Sequence, residues 1–277
     1  MSNTLQRRLL VGIFAAATCL ACSAHEFWLD AFAFRLKAGE ILRIRTFVGD
    51  GFPGEARPRD PTKLERFEIV GPPGSLQVLG QDGAEPAGLV RLTAPGTYSV
   101  GYRSRPTPIV LAGPKFEMYL KDKGLDNASE ARRTAGKTEA DGRERFSRCA
   151  KAIVMVGNDR GAGFDHVFGF PLEVVPRSNP YASRPGDELS FLVLADGKPA
   201  HQMLVAAVNR ADPKTTLSAR TSEDGIASFK LDRSGFWLIN TVRMLPVNEP
   251  GIECDWESLW ASVTFDLADS EATSKGK

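Results

Sequence analysis

The chain has little histidine, few cysteines, no excess of either charge and, beyond residue 24, no long apolar run. Three histidines, His25, His166 and His201, are scattered over 277 residues, which excludes a histidine-rich metal tract. A helical membrane span needs about 20 consecutive apolar residues. None follows residue 24, so the body of the chain is not expected to be an integral membrane protein. The full chain carries a formal net charge of +1; losing residues 1–24 removes Arg7 and Arg8 and no acid, leaving 33 Lys+Arg against 34 Asp+Glu. That balance excludes a nucleic-acid binder driven by bulk charge. Gly-x-Ser-x-Gly and His-Glu-x-x-His are missing, and the glycine-rich residues 157–163 lack the lysine of a phosphate loop. No enzymatic activity is expected.

What is present begins with a secretory signal. Arg7 and Arg8 precede a short apolar run over 9–21, and Cys22-Ser23-Ala24 offers small residues for cleavage. Cutting after Ala24 predicts a periplasmic or secreted protein that starts His25-Glu26-Phe27-Trp28-Leu29-Asp30. A free α-amine and the Nδ1 of the same histidine close a six-membered chelate around a transition metal, which no internal histidine can do. The alternative is a membrane-anchored lipoprotein: Leu20-Ala21-Cys22 resembles a lipid-attachment signal, although Cys19 stands where a larger aliphatic residue is preferred. Attachment at Cys22 would abolish the chelate. Two cysteines remain after the signal, Cys149 and Cys254, as one disulfide or as two free thiols.

The patterning predicts an all-β chain in the main. Residues 41–48 alternate apolar and basic side chains, and short apolar runs recur between Gly/Pro/Asp turns such as Gly71-Pro72-Pro73-Gly74 and Pro95-Gly96. Phe116, Tyr119 and Leu120 stand at helical spacing, with Gly124 as a stop. Two β-sandwich-like units follow: an N-terminal β-rich domain over 25–176 with a helical excursion at 115–148, and a C-terminal sandwich over 177–268, immunoglobulin- or transthyretin-like. Asp196-Gly197-Lys198-Pro199 predicts a tight hairpin leading into residues 203–208. Residues 269–277 are expected to form a disordered tail.

In order along the chain, several segments carry a family resemblance: Ala24-His25-Glu26-Phe27-Trp28-Leu29, Lys115-Phe116-Glu117-Met118-Tyr119-Leu120 and Arg143-Glu144-Arg145-Phe146-Ser147-Arg148. Pro171-Leu172-Glu173-Val174-Val175-Pro176, Asp196-Gly197-Lys198-Pro199 and Asp255-Trp256-Glu257-Ser258-Leu259-Trp260 continue it. Together they resemble the DUF4198 family of exported bacterial proteins, related to NikM-like periplasmic components of nickel or cobalt uptake. The resemblance implies a β-rich periplasmic protein that binds a transition metal and passes it to an inner-membrane transporter.

The expected metal ligand is His25, for divalent nickel or cobalt, with copper as a further candidate. A second imidazole beside it, for which His166 is the one candidate, would make a copper histidine brace. His166 and His201 are read as ordinary surface or packed histidines, since neither inherits a ligand role from the family. Glu26 and Asp30 would project from the strand face opposite His25. Asp255 and Glu257 are read as salt-bridge partners of the arginine-rich strands, and Trp28, Trp237, Trp256 and Trp260 as core. The expected function is therefore non-enzymatic capture of a transition metal, with a structural or interaction module of the cell envelope as the alternative.

Overall fold

The computed structural model describes residues 25–268; the expected signal at 1–24 and tail at 269–277 lie outside the described residues. The described chain opens with β1 (Glu26–Ala31), β2 (Arg35–Leu36), β3 (Ile41–Gly49), β4 (Glu55–Arg57) and β5 (Leu64–Gly71). It continues through β6 (Gly74–Gln77), β7 (Gly88–Arg91), β8 (Gly96–Ser104) and β9 (Thr107–Leu111) to helices α1 (Gly113–Asp122) and α2 (Asp126–Thr134). The long β10 (Gly142–Val156) and β11 (Leu172–Pro176) come next, then β12 (Glu188–Ala195), β13 (Lys198–Pro199), β14 (Leu204–Asn209) and β15 (Asp212–Arg220). β16 (Ile226–Lys230), β17 (Gly235–Pro246) and β18 (Trp256–Leu267) complete the set.

These strands form three sheets, and the fold is mainly β, as the patterning predicts. The largest sheet runs β15-β14-β17-β18-β10-β8-β5-β6, with β2 and β9 also paired to β10. One four-stranded sheet joins β1, β3, β4 and β7; another joins β11, β12, β13 and β16. β10 shows how they stack. Its Ala150, Ala152, Val154 and Val156 pack with Trp28, Leu42 and Ile44 of the first small sheet. Its Cys149, Ile153 and Met155 pack with Val174, Phe191 and Phe229 of the second. The large sheet is thus the middle layer, apolar on both faces, which is why residues 150–156 read as a nearly unbroken apolar run.

The expected unit boundary at 176/177 falls between paired strands: β11 before it is antiparallel to β12 after it. The last strand, β18, also returns to lie parallel beside β10, from Glu144 opposite Trp256 to Ala152 opposite Thr264. The helical excursion is shorter than the predicted 115–148. Helix ends at Thr134, and residues 142–148 open β10, because Arg143 and Arg145 alternate with buried Glu144 and Phe146 at strand spacing. Gly124 terminates α1 as expected, at φ +63°, where a side chain would meet Leu204. Asp196-Gly197 does turn a hairpin, but only Lys198–Pro199 pairs back onto β12; β14 crosses to the large sheet. Cys149 and Cys254 are separate thiols. Cys149 lies level with Ala261, seven residues along from Cys254, a separation on the order of 20 Å at strand rise. Burial pushes the Cys149 thiol up to about 12.

One charge is buried between the middle layer and the second small sheet. Lys151 donates to Glu173 and to the His166 carbonyl, both at 2.9 Å, while Glu173 also accepts from the backbone N–H groups of Phe168 and Phe170. Every partner of the carboxylate is therefore fixed by the chain itself. Lys151→Met keeps the volume and strands the carboxylate. It is expected to cost about 3–5 kcal/mol, measured as a lower urea midpoint with unchanged slope.

Candidate functional site

One face of the middle sheet is covered in two pieces. The first small sheet covers one end, and the α1–α2 hairpin covers the other through Phe116, Leu120, Phe146, Val242 and Trp260. Between the two coverings runs a row of small or polar residues, one from each strand in register: Ser218, Ala206, Asn240, Ser262 and Ala150. Such a row cannot fill the space between two apolar clusters, so a seam is left. Polar bridges close it in places. Ser262 donates to the Phe27 carbonyl at 2.8 Å, tying β18 to β1. Lys123, just beyond α1, pairs with Glu26 of β1, and its ammonium lies 5.7 Å from the Trp260 ring centroid. The Arg148 guanidinium lies 4.9 Å from both the Phe27 and the Phe146 ring centroids, touching each cluster.

The seam opens into a cleft at each end. One, of about 640 Å³, lies between α1 and strands β14, β15 and β17. The other, of about 760 Å³, is lined by His25, Phe27, Tyr102, Phe146 and Arg148. Asp50 belongs to the lining of both. His25 and Asp50 meet for a reason of register. Glu26 on β1 stands opposite Gly49 on β3, so the next rung outward holds His25 and Asp50, and their Nδ1 and Oδ1 atoms are 2.7 Å apart.

Sequence reasoning missed Asp50. The available signal was the Gly49-Asp50-Gly51 turn at the end of an alternating strand, but only strand register turns that signal into a contact. Nearby, Gly54 has φ +66° and lies over the Trp28 ring, where a Cβ would collide. The turn that follows Asp50 is thereby packed onto the core.

The other candidate residues lie elsewhere. His201 lines a separate cleft beside α2. His166 sets its ring edge-on to Phe168, with centroids 4.7 Å apart, and burial together with the neighbouring Lys151 cation lowers its pKa. Neither histidine lines the cleft onto which His25 opens, so the described residues do not assemble a two-imidazole copper brace. Among the described residues, no three His, Cys, Asp or Glu side chains group as metal ligands. Glu26 is engaged by Lys123 and by the Gly51 N–H. Asp30 accepts from Arg45 and Arg210, each at 2.8 Å. Asp255 pairs with Arg143, and Glu257 with Arg145, as read from the sequence. All four tryptophans are buried.

The DUF4198 family profile, described as a domain of unknown function, matches residues 22–244. The chain belongs to this family. No curated protein matches it. Among solved structures, the D0-D1 domain of intimin is 11% identical, with 87% of this chain and 97% of that chain covered, at a TM-score of 0.20. A tetra-tandem repeat from the extending region of a large adhesion protein is 12% identical, with 88% and 50% covered and a TM-score of 0.21. Dimeric latent PorU from Porphyromonas gingivalis is 12% identical, with 92% and 22% covered and a TM-score of 0.19. This chain therefore spans half or less of the latter two, and TM-scores this low carry no argument.

Under α1, this DUF4198 chain buries an acid with incomplete hydrogen bonding. Glu144 is 1% exposed; its Oε1 accepts from Ser258 and, at 3.4 Å, from Tyr119, while Oε2 has no partner among the described residues. Trp260 donates to the Ser258 hydroxyl at 2.9 Å. Burial raises the Glu144 pKa from its ordinary 4.5 to about 7, against the opposing hydrogen bonds of Ser258 and Tyr119. The folded chain thus retains a proton that the unfolded chain releases as pH rises past 4.5. Stability should fall by roughly 3 kcal/mol between pH 4.5 and 7 on this account. Glu144→Gln is expected to flatten that slope and to be the more stable protein at pH 8, measured by urea unfolding across the range.

Proposed function

We propose that the chain, cut after Ala24, is a non-enzymatic exported protein that reversibly binds one divalent transition metal at the His25 end of the seam. The observation that carries this reading is the convergence of His25 Nδ1 and Asp50 Oδ1 at 2.7 Å on the lip between two clefts. With the α-amine of His25 freed by cleavage, two nitrogens and one carboxylate oxygen would face a single ion. Nitrogen and carboxylate donors bind such ions at about 2.0–2.2 Å, which sets neighbouring donors on the order of 3 Å apart. The present spacing needs to open by only a few tenths of an ångström. The glycines flanking Asp50 allow that movement.

The donor set suits nickel, cobalt or copper in their divalent states. The resemblance to nickel and cobalt uptake components makes the first two the primary candidates, with an inner-membrane importer as the recipient. Both nitrogens must be unprotonated to bind, so acidification favours release. No covalent chemistry is required of the protein.

Equilibrium dialysis of the exported protein against Ni(II), Co(II) and Cu(II), with its start checked by intact mass, tests the proposal. One ion per chain is expected. Asp50→Asn should weaken binding roughly tenfold or more, and one extra residue before His25 should abolish tight binding. Unchanged affinity in the extended protein would overturn the terminal chelate.

A further inference from the structure

The cleft at the opposite end of the seam holds a polar group that makes no side-chain hydrogen bond within the described residues. Asn240, on β17, is only 7% exposed and lines the 640 Å³ cleft, yet its side-chain amide has no hydrogen-bond partner among the described residues. An amide offers donors and an acceptor together; those of Asn240 are not sealed from solvent, so they open onto the cleft and can pair with water or with a ligand there. The residues around it keep the space open. Ala206 stands beside it on β14 and Ser218 beyond that on β15, so its neighbours along the sheet on that side are small.

We propose that this cleft binds a neutral saccharide of one or two rings. Its volume falls within the range of small-ligand sites. Thr216 and Ser218 add hydroxyls along the exposed edge strand, while Leu111 and Met118 supply apolar surface for the C–H face of a ring. The lining sets Lys115 and Lys123 against Glu26, Asp50 and Asp122, with Lys123 already paired to Glu26, so the two signs oppose each other and a strongly charged ligand gains little.

An extended peptide fits less well. The floor is the face of a sheet whose β14 backbone is already paired on both sides, by β15 and by β17. Recognition must therefore come from side-chain amide, hydroxyl and carboxylate groups. Sugar hydroxyls, each both donor and acceptor, can pair with all of these, whereas a peptide on this floor gains no strand pairing from β14.

Saturation-transfer NMR with glucose, N-acetylglucosamine, maltose and cellobiose tests this. The protein carries His25→Ala and is measured with chelator present, so that the outcome is independent of metal binding. Transfer from at least one sugar is expected, with affinity weakened about tenfold in Asn240→Leu. Ser218→Trp, at an exposed strand position, should fill the cleft and remove binding while leaving the thermal unfolding curve in place; it also serves should Asn240→Leu fail to fold. No transfer from any of the four sugars, or equal transfer in wild type and Ser218→Trp, would overturn the proposal.

Discussion

The parallel pairing of β10 with β18 is the constraint on which the architecture depends. It inserts the last strand of the chain between β17 and β10, so strands from both ends of the sequence make one continuous sheet. A sheet built that way is apolar on both faces and must be covered twice. The two small sheets meet most of that requirement. The α1–α2 hairpin covers what the first of them leaves bare.

Covering one face with two separate pieces has a consequence at their junction. Sheet and helices bring apolar side chains of different height to the same surface, and the residues between them are small. The gap is spanned by polar and charged groups that would otherwise cost free energy to bury: Glu26 with Lys123, Ser262 on the Phe27 carbonyl, and Arg148 against two aromatic rings. Glu144 shows the limit of that strategy. Its second oxygen has no partner among the described residues, so burial favours the neutral acid. Polar groups at the seam therefore serve as pins where they are satisfied.

Much of this was legible in the sequence because it is local. Alternation marked β3, a continuous apolar run marked the interior of β10, and the Phe116–Tyr119–Leu120 spacing before Gly124 marked α1. The readings of the tryptophans as core and of Asp255 and Glu257 as arginine partners also agree with the structure, since residue type and strand context were enough. What could not be read is register over distance. Glu144 lies opposite Trp256, over a hundred residues away, and no periodicity specifies that pairing. The same holds for His25 and Asp50, joined by one further rung of the β1–β3 ladder. The start of β10 reads as part of the helical excursion because its charged residues continue a polar run that suggests a solvated surface, which outweighs the two-residue alternation over 143–146.

Net charge near zero gives this chain no long-range field with which to gather a ligand, so selection must come from donors held at short range. The ends of the seam suit that task. Their walls belong to packed sheets and helices, which fixes the direction of each donor before a ligand arrives and lowers the ordering cost of binding. The two ends also differ in kind. Around His25 the donors are an imidazole just before β1 and the Asp50 carboxylate on a turn between glycines, the pair proposed to hold an ion. Around Asn240 they are an amide and hydroxyls on the face of a sheet beneath a rim of opposed charges, the donor set proposed to take a sugar. Asp50 and Gly51 line both clefts, so the two ends of the seam share one wall at this turn.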